Sequence, residues 1–266
     1  MQAVTGVFQT RFDAERALDH AYRSGIPADR ITLLAPGSVD FVNKEVQSVP
    51  VDATEQPGMG KAIGALLGGG VGITGGSLLI ALVPGLGPVT ALGILGAAIL
   101  GAAGATVGAA AGGKFEDASS QGLPEDEIFV YEDALRKGRS VLVGLGQNED
   151  EITRMRELME AENAESVDAA RHQWWIGLRT AEEGRYSQSG RSFSEDEQFY
   201  RLGFEAALHA RNRCKEFDQV SAEMDAALED VKNRYPGKDV EQPFLDGYQR
   251  GREYYQKLCD ENPKAA

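Results

Sequence analysis

Apolar and polar positions along this chain fall into three regimes, and each predicts a different architecture. In the first, short apolar runs alternate with amphipathic segments. Val4 to Phe8 reads as a buried strand, Thr10 with Asp13 three residues on opens a helix, and Ala14, Ala17, Leu18 and Ala21 share one face of it. Gly25 stops that helix, and Arg30 to Leu34 forms the next strand. The same order returns later in the chain. Pro124 starts a helix that turns Ile128, Tyr131 and Leu135 inward and ends at Gly138, and Ser140 to Leu145 is a strand. Asn148 with Glu151 then begins a helix carrying Ile152, Met155, Leu158 and Met159, and a short strand follows at Ser166-Val167-Asp168. Two β-α-β units in one chain pair most simply into a four-stranded antiparallel sheet backed by two helices, the ferredoxin-like arrangement.

Between these units lies the second regime. After a polar linker from Gly37 to Pro57, the stretch from Ala62 to Gly113 contains no charged side chain, and Pro84-Gly85-Leu86-Gly87-Pro88 breaks it in the middle. Glycines recur every fourth residue at Gly60, Gly64, Gly68, Gly72 and Gly76. After the turn, small residues recur at Gly93, Ala97, Gly101, Ala105, Ala109 and Gly113, with Gly104, Gly108 and Gly112 beside them. Four-residue spacing places small residues on one helix face, where backbones can approach closely. The expectation is a double glycine zipper: two antiparallel helices over residues 59–114, turning at Pro84, Gly85, Gly87 and Pro88.

The third regime, from Arg171 onward, is helical and rich in aromatic residues. Ser194 with Glu197 begins one helix, a second runs through Val220, Met224, Leu228 and Val231, and Asp239 with Gln242 begins a third after Tyr235-Pro236-Gly237. A weak repeat links two of them: Phe199-Tyr200-Arg201-Leu202-Gly203-Phe204 resembles Pro243-Phe244-Leu245-Asp246-Gly247-Tyr248. Glycine inside a helix costs roughly 1 kcal/mol relative to alanine, so close helix contact is the expected reason for it.

Composition narrows function mainly by exclusion. A net charge of −14 argues against nucleic acid, which needs clustered Lys and Arg. The N-terminus has no basic region or apolar signal core, which predicts cytosolic exposure. Cys214 and Cys259 stand far apart in helical patterns and read as reduced thiols, while His20, His172 and His209 are isolated and offer no metal spacing. Glu125-Asp126-Glu127, Glu149-Asp150-Glu151 and Glu195-Asp196-Glu197 fall in first helical turns, where the macrodipole favours negative charge. Neither Gly68-Gly69-Gly70-Val71-Gly72 nor Gly58-Met59-Gly60-Lys61 completes a phosphate-binding fingerprint. Trp174-Trp175 reads as a packing pair. No catalytic residue, cofactor or metal is expected. A pocket between the tail and the sheet could assemble Tyr186, His209 and nearby carboxylates only through folding.

Several of these pieces together carry a resemblance: Gly6-Val7-Phe8, Ala14-Glu15-Arg16-Ala17-Leu18, the Pro84–Pro88 centre of the uncharged stretch, Tyr131-Glu132-Asp133-Ala134-Leu135-Arg136-Lys137-Gly138 and Val141-Leu142-Val143. Their order over residues 1–170 resembles bacterial general-stress proteins, including the heat-induced YflT-like domain and the low-temperature-induced proteins. The resemblance implies a stress-response role and supplies no catalytic residues.

The sequence thus predicts an α+β protein with four parts. Residues 1–58 and 115–170 are the halves of a ferredoxin-like domain, 59–114 is the inserted Gly/Ala-rich helical hairpin, and 171–266 is an all-helical C-terminal domain. As a helix, Ala62 to Val83 would span roughly 33 Å, enough to cross a bilayer core. The expected role is non-enzymatic self-association of a cytoplasmic protein, with the hairpin against or inserted in the inner membrane. The rivals are a soluble oligomer with the hairpins in its core, and a ligand- or partner-binding sensor. Burial of two long apolar helices against the chain's own small sheet is disfavoured on geometric grounds.

Overall fold

The computed structural model describes residues 1–37, 71–73, 76–83, 86–92, 99, 124–210, 212 and 217–260. The strands are β1 (Gln2–Phe8), β2 (Ile31–Pro36), β3 (Val71–Ile73), β4 (Gly76–Val83), β5 (Gly87–Leu92), β6 (Ser140–Gly146) and β7 (Glu165–Ser166). They form one sheet in the order β3-β4-β5-β2-β6-β1-β7, and every pairing is antiparallel. The helices are α1 (Arg11–Arg23), α2 (Ile128–Arg136), α3 (Glu149–Ala161), α4 (Val167–Tyr186), α5 (Phe193–Ala207), α6 (Phe217–Arg234) and α7 (Glu241–Asp260).

Strand β6 lies between β1 and β2: Val143 faces Thr5 of β1 on one side and Thr32 of β2 on the other. All seven of its residues are buried, because both faces of the sheet are covered. Helices α1 and α3 cover one face. The Thr10 hydroxyl caps α1 by accepting from the Asp13 N–H at 3.1 Å, and the Asn148 carbonyl caps α3 by accepting from the Glu151 N–H at 2.9 Å. Ala14, Ala17, Leu18 and Ala21 of α1 and Ile152, Met155 and Met159 of α3 pack on Val4, Phe8, Ile31, Leu33 and Leu142. The small residues of α1 let that helix lie close to the sheet, as their spacing predicts.

The opposite face buries Val7, Leu34, Val141, Val143 and Leu145 beneath α2 and α4. Helix α4 begins without a loop: Ser166 ends β7 and also accepts from the Ala169 N–H at 3.2 Å. Asp168, expected in a strand, is in the first turn of this helix. The boundary expected between residues 170 and 171 therefore falls inside α4. Trp174 and Trp175 share one core with Val143 and Leu145, so the aromatic tail is built onto the sheet rather than standing apart from it.

The described strands of the insert correct the helical expectation over their length, while Ile99 in the second arm is helical as expected. Gly72 lies in β3 opposite Ser77, Gly76 opens β4 opposite Ile73, and β4 pairs with β5 from Leu78↔Leu92 to Val83↔Gly87. The chain does reverse where the Pro-Gly cluster predicted, but between strands. β5 joins β2 from Leu33↔Leu92 to Pro36↔Val89, and Val89 and Ala91 are buried in the sheet's core. The physical reason is local. Apolar runs of eight and six residues bounded by Gly75-Gly76 and Pro84-Gly85 are strand-length, and interior glycines each cost a helix about 1 kcal/mol. A strand pair prolongs an existing sheet and needs no separate hiding place, which removes the geometric objection to burial against the chain's own sheet. The bilayer-spanning helix Ala62–Val83 fails from Val71 on. Among the described residues no helix is long and apolar enough to cross a membrane.

Helices α5, α6 and α7 complete the chain. Phe199 and Ala207 of α5, Val220, Met224, Leu228 and Val231 of α6, and Val240, Phe244 and Tyr248 around α7 form their shared core. The α5–α7 contact explains the repeat seen in the sequence. A Cβ at Gly203 would strike the carbonyl of Phe244, and one at Gly247 would strike the carbonyl of Tyr200. Each repeat thus lends its glycine to the other's backbone.

Candidate functional site

The densest arrangement of chemistry-bearing side chains in the described residues is a seam where α4, α5 and α7 meet. Its apolar half is a set of rings. Trp174 lies 4.7 Å from Phe129 of α2 and 5.8 Å from Phe204, Trp175 lies 6.3 Å from Tyr200, and Tyr186 lies 5.0 Å from Tyr200, most of them tilted or edge-on. Such geometry sets ring edges against ring faces and fills space without a central void.

The polar half places a carboxylate at the donors of Tyr200, Tyr186 and Trp175. Tyr200 donates to Glu182 at 2.9 Å, and Arg250 of α7 donates from Nε to the same carboxylate at 3.0 Å. Glu182 is only 1% exposed, so this pair ties α4, α5 and α7 together at one buried point. Tyr186 donates to Asp196 at 2.7 Å, and Arg191 donates to that carboxylate at 2.8 Å and to Asp239 at 2.9 Å. Trp175 donates from Nε1 to Glu197 at 2.9 Å, while Arg179 grips Glu197 through Nε and Nη2, both at 2.9 Å. A second site of the same design lies at the sheet. Tyr131 donates to Glu127 at 2.6 Å and its oxygen lies 2.9 Å from the Thr5 hydroxyl.

Burial, followed by the facing carboxylate, raises the Tyr200, Tyr186 and Tyr131 hydroxyls, so all three hold their protons. Burial also raises the Glu127 carboxyl, against the lowering effect of the Tyr131 hydrogen bond. For Glu197 burial pulls upward, but the hydrogen bonds from Arg179 and Trp175 hold it below the ordinary range. Asp196 is held low in the same way by Arg191 and Tyr186. The seam therefore pairs Glu182, Asp196 and Glu197 each with an arginine, and Tyr200 and Tyr186 each with one of those acids. It works as a clamp.

Little of this seam is visible from local sequence. Asp126, Glu127 and Asp196 stand in first helical turns as expected, and these acidic clusters also hold side-chain partners: Asp196 takes Tyr186, Glu197 takes Trp175, Asp126 takes Arg171 at 3.2 Å and Glu127 takes Tyr131 one turn on. In the Glu149-Asp150-Glu151 cluster Glu151 closes on the Gln147 and Asn148 end of α3. Glu182 and Arg250 carry no local signal, whereas Trp175 and Arg179 stand one helical turn apart, a spacing that points to a shared partner. Tyr186, considered with His209 and carboxylates, is committed to Asp196 and Arg191, and His209 lies in the turn after α5.

Of the residues expected in self-association, Gly72 and Gly76 are placed in strands, as are Gly87 and Pro88 of the turn. Gly60, Gly64, Gly68, Gly93, Ala97, Gly101, Gly104, Gly108 and Gly112, with Pro84 and Gly85, lie outside the described residues. Among the described residues, no group of three or more His, Cys, Asp or Glu side chains is placed to hold a metal ion. A cavity of about 260 Å³ at the α6–α7 turn is lined by Lys232, Tyr235, Lys238, Asp239 and Glu241. Lys232 closes on Glu241 at 2.7 Å there, so its charge is already answered. Comparison with protein families, characterised proteins and solved structures finds no match to this chain.

Proposed function

We propose that the protein is a non-enzymatic, self-associating structural protein whose uncharged insert is its assembly element. One observation carries this reading. In a chain of net charge −14, the stretch without a charge runs through β3, β4 and β5, and it extends the sheet away from the charged helices to an outermost described strand, β3. Two acidic copies repel one another over most of their surface, and the uncharged extension is where that repulsion is weakest. A sheet edge without charge or proline also lacks the usual devices that block edge pairing.

The order β2-β6-β1-β7, with α1 and α3 on one face, supports a ferredoxin-like reading of the domain that displays the insert. A bacterial stress-response setting rests on the sequence resemblance alone. The committed acids and phenols of the seam favour assembly over catalysis or ligand sensing. Sedimentation of the full chain with and without detergent or lipid vesicles is the test, using Gly68→Lys and Gly104→Lys to place a charge inside the uncharged stretch. Loss of higher-order assembly in both variants is expected. Undiminished assembly would remove the insert from this role, and assembly only on vesicles would move it to the lipid surface.

A further inference from the structure

A run of oxidisable rings crosses the seam. Trp174 and Trp175 have centroids 6.0 Å apart, Trp175 lies 6.3 Å from Tyr200, Tyr200 lies 5.0 Å from Tyr186, and all of them are buried. An indole or phenol that gives up an electron becomes a strongly acidic cation, and a buried cation is costly unless its proton moves to a base. The bases are in place: Glu197 at Trp175, Glu182 at Tyr200 and Asp196 at Tyr186. Protonating a buried carboxylate ordinarily strands the arginine beside it. Here each arginine holds a further carboxylate, Arg179 with Glu183 at 3.2 Å, Arg250 with Glu253 at 3.6 Å and Arg191 with Asp239 at 2.9 Å. Tyr248 of α7 supplies the contrast, since it is just as buried and its hydroxyl has no hydrogen-bond partner among the described residues.

We propose that the seam is a one-electron relay, in which an oxidising equivalent received by the tryptophans passes to Tyr200 and Tyr186 and is held there as a neutral tyrosyl radical. The oxidant is an outer-sphere one-electron acceptor in solution, a radical or an oxidised metal complex. It first takes one electron from Trp175 and leaves the indole radical cation. One electron then passes from Tyr200 to Trp175 while the phenolic proton passes to Glu182, giving neutral Trp175, the Tyr200 phenoxyl radical and protonated Glu182. Next, Tyr200 takes an electron from Tyr186 and its own proton back from Glu182, and the Tyr186 proton moves to Asp196. Neither of these two transfers changes the net charge of the seam, which suits a buried network. A one-electron reductant such as a thiolate closes the cycle: it returns the electron to Tyr186, and Asp196 returns the proton. This activity is separate from assembly through the insert.

Flash oxidation of the full chain by photogenerated tris(bipyridine)ruthenium(III) tests it, with the radical followed by transient absorption and electron paramagnetic resonance. The parent is expected to give a long-lived tyrosyl signal whose rise slows in deuterium oxide, because the phenolic proton moves with the electron; this measurement needs no variant. Tyr186→Phe and Tyr200→Phe together should remove most of that signal, whereas Tyr248→Phe should leave it unchanged. Glu182→Gln keeps the shape of the side chain and removes the base. Placed in the Tyr186→Phe chain, it should slow formation of the Tyr200 radical by about a hundredfold, the lower end of what a positioned base contributes. A parent without a long-lived radical, a signal undiminished in the double phenylalanine variant, a signal lost equally in Tyr248→Phe, or a rate indifferent to both Glu182→Gln and deuterium oxide would overturn the proposal.

Discussion

Two pairs of glycines in this protein share one spacing and have opposite outcomes. Gly247 and Gly251 are four residues apart in α7, and both press on the backbone of α5, Gly251 coming within 2.5 Å of the Phe204 carbonyl where its Cβ would be. Gly72 and Gly76 are also four apart, yet they lie in neighbouring antiparallel strands. The residues between and around them decide. Helix α7 has Gln242 bonded to Asp246 and Gln249 bonded to Glu253, polar pairs one turn apart that support a helix whatever its glycines cost. The insert has no such pairs, and its Val, Ile and Leu runs suit strands. Glycine spacing reports close packing only where the intervening residues already make a helix.

The most damaging way to probe the difference is to remove one side of it. Replacing residues 59–114 by a flexible linker takes β5 from β2 and strips Val89 and Ala91 from the core. The shortened chain is expected to lose its cooperative thermal transition in circular dichroism. A sharp, parent-like transition would show that the insert is an appendage after all. On the other side, Glu182→Ala takes from the part-buried Arg250 its shorter ion pair, leaving Glu253 at 3.6 Å, and frees Tyr200. A loss of about 3–5 kcal/mol is expected from denaturant titration, the range for breaking a buried pair. A loss under about 1 kcal/mol would mean that the glycine contact alone holds α5 to α7.

Smaller changes sharpen the contrast. Gly247→Ala should gain about 1 kcal/mol of helix propensity and still destabilise on the order of 1–3 kcal/mol, because the methyl group overlaps the Tyr200 carbonyl. A net stabilisation would refute the close approach. Gly72→Ala, in the outermost described strand of the sheet, should change stability by about 0.5 kcal/mol or less in the same titration. Equal losses at Gly72 and Gly247 would erase the comparison.

Much of the first regime was legible because its signals are local. Thr10 and Asn148 cap the helices they were expected to cap, and the buried face of α1 is the one its alanines marked. The mutual seating of Gly203 and Gly247 was legible too, since a repeated interior glycine has few other reasons to exist. The start of α4 was misplaced because Ser166-Val167-Asp168 is short enough to read as a strand, although Ser166 followed by Asp168 is also a helix opening. The clamp was largely invisible: Glu182 and Tyr200 lie 18 residues apart and Glu182 and Arg250 lie 68 apart, and no periodicity links them. The insert was misread because spacing was weighed without the strand-forming residues between the glycines.

The place of β6 between β1 and β2 has a consequence for how the chain is made. Both neighbours leave the ribosome well before it, and after Pro36 about 110 residues must be added before Gly146 emerges, a delay on the order of 5–20 s at ordinary elongation rates. Throughout that interval β1 and β2 have no strand to join them, and before it ends the uncharged insert is out with half a sheet to rest on. Stalled nascent chains that end before Ser140 are therefore expected to aggregate, and those that extend past Gly146 by a ribosome tunnel's length are expected to stay dispersed.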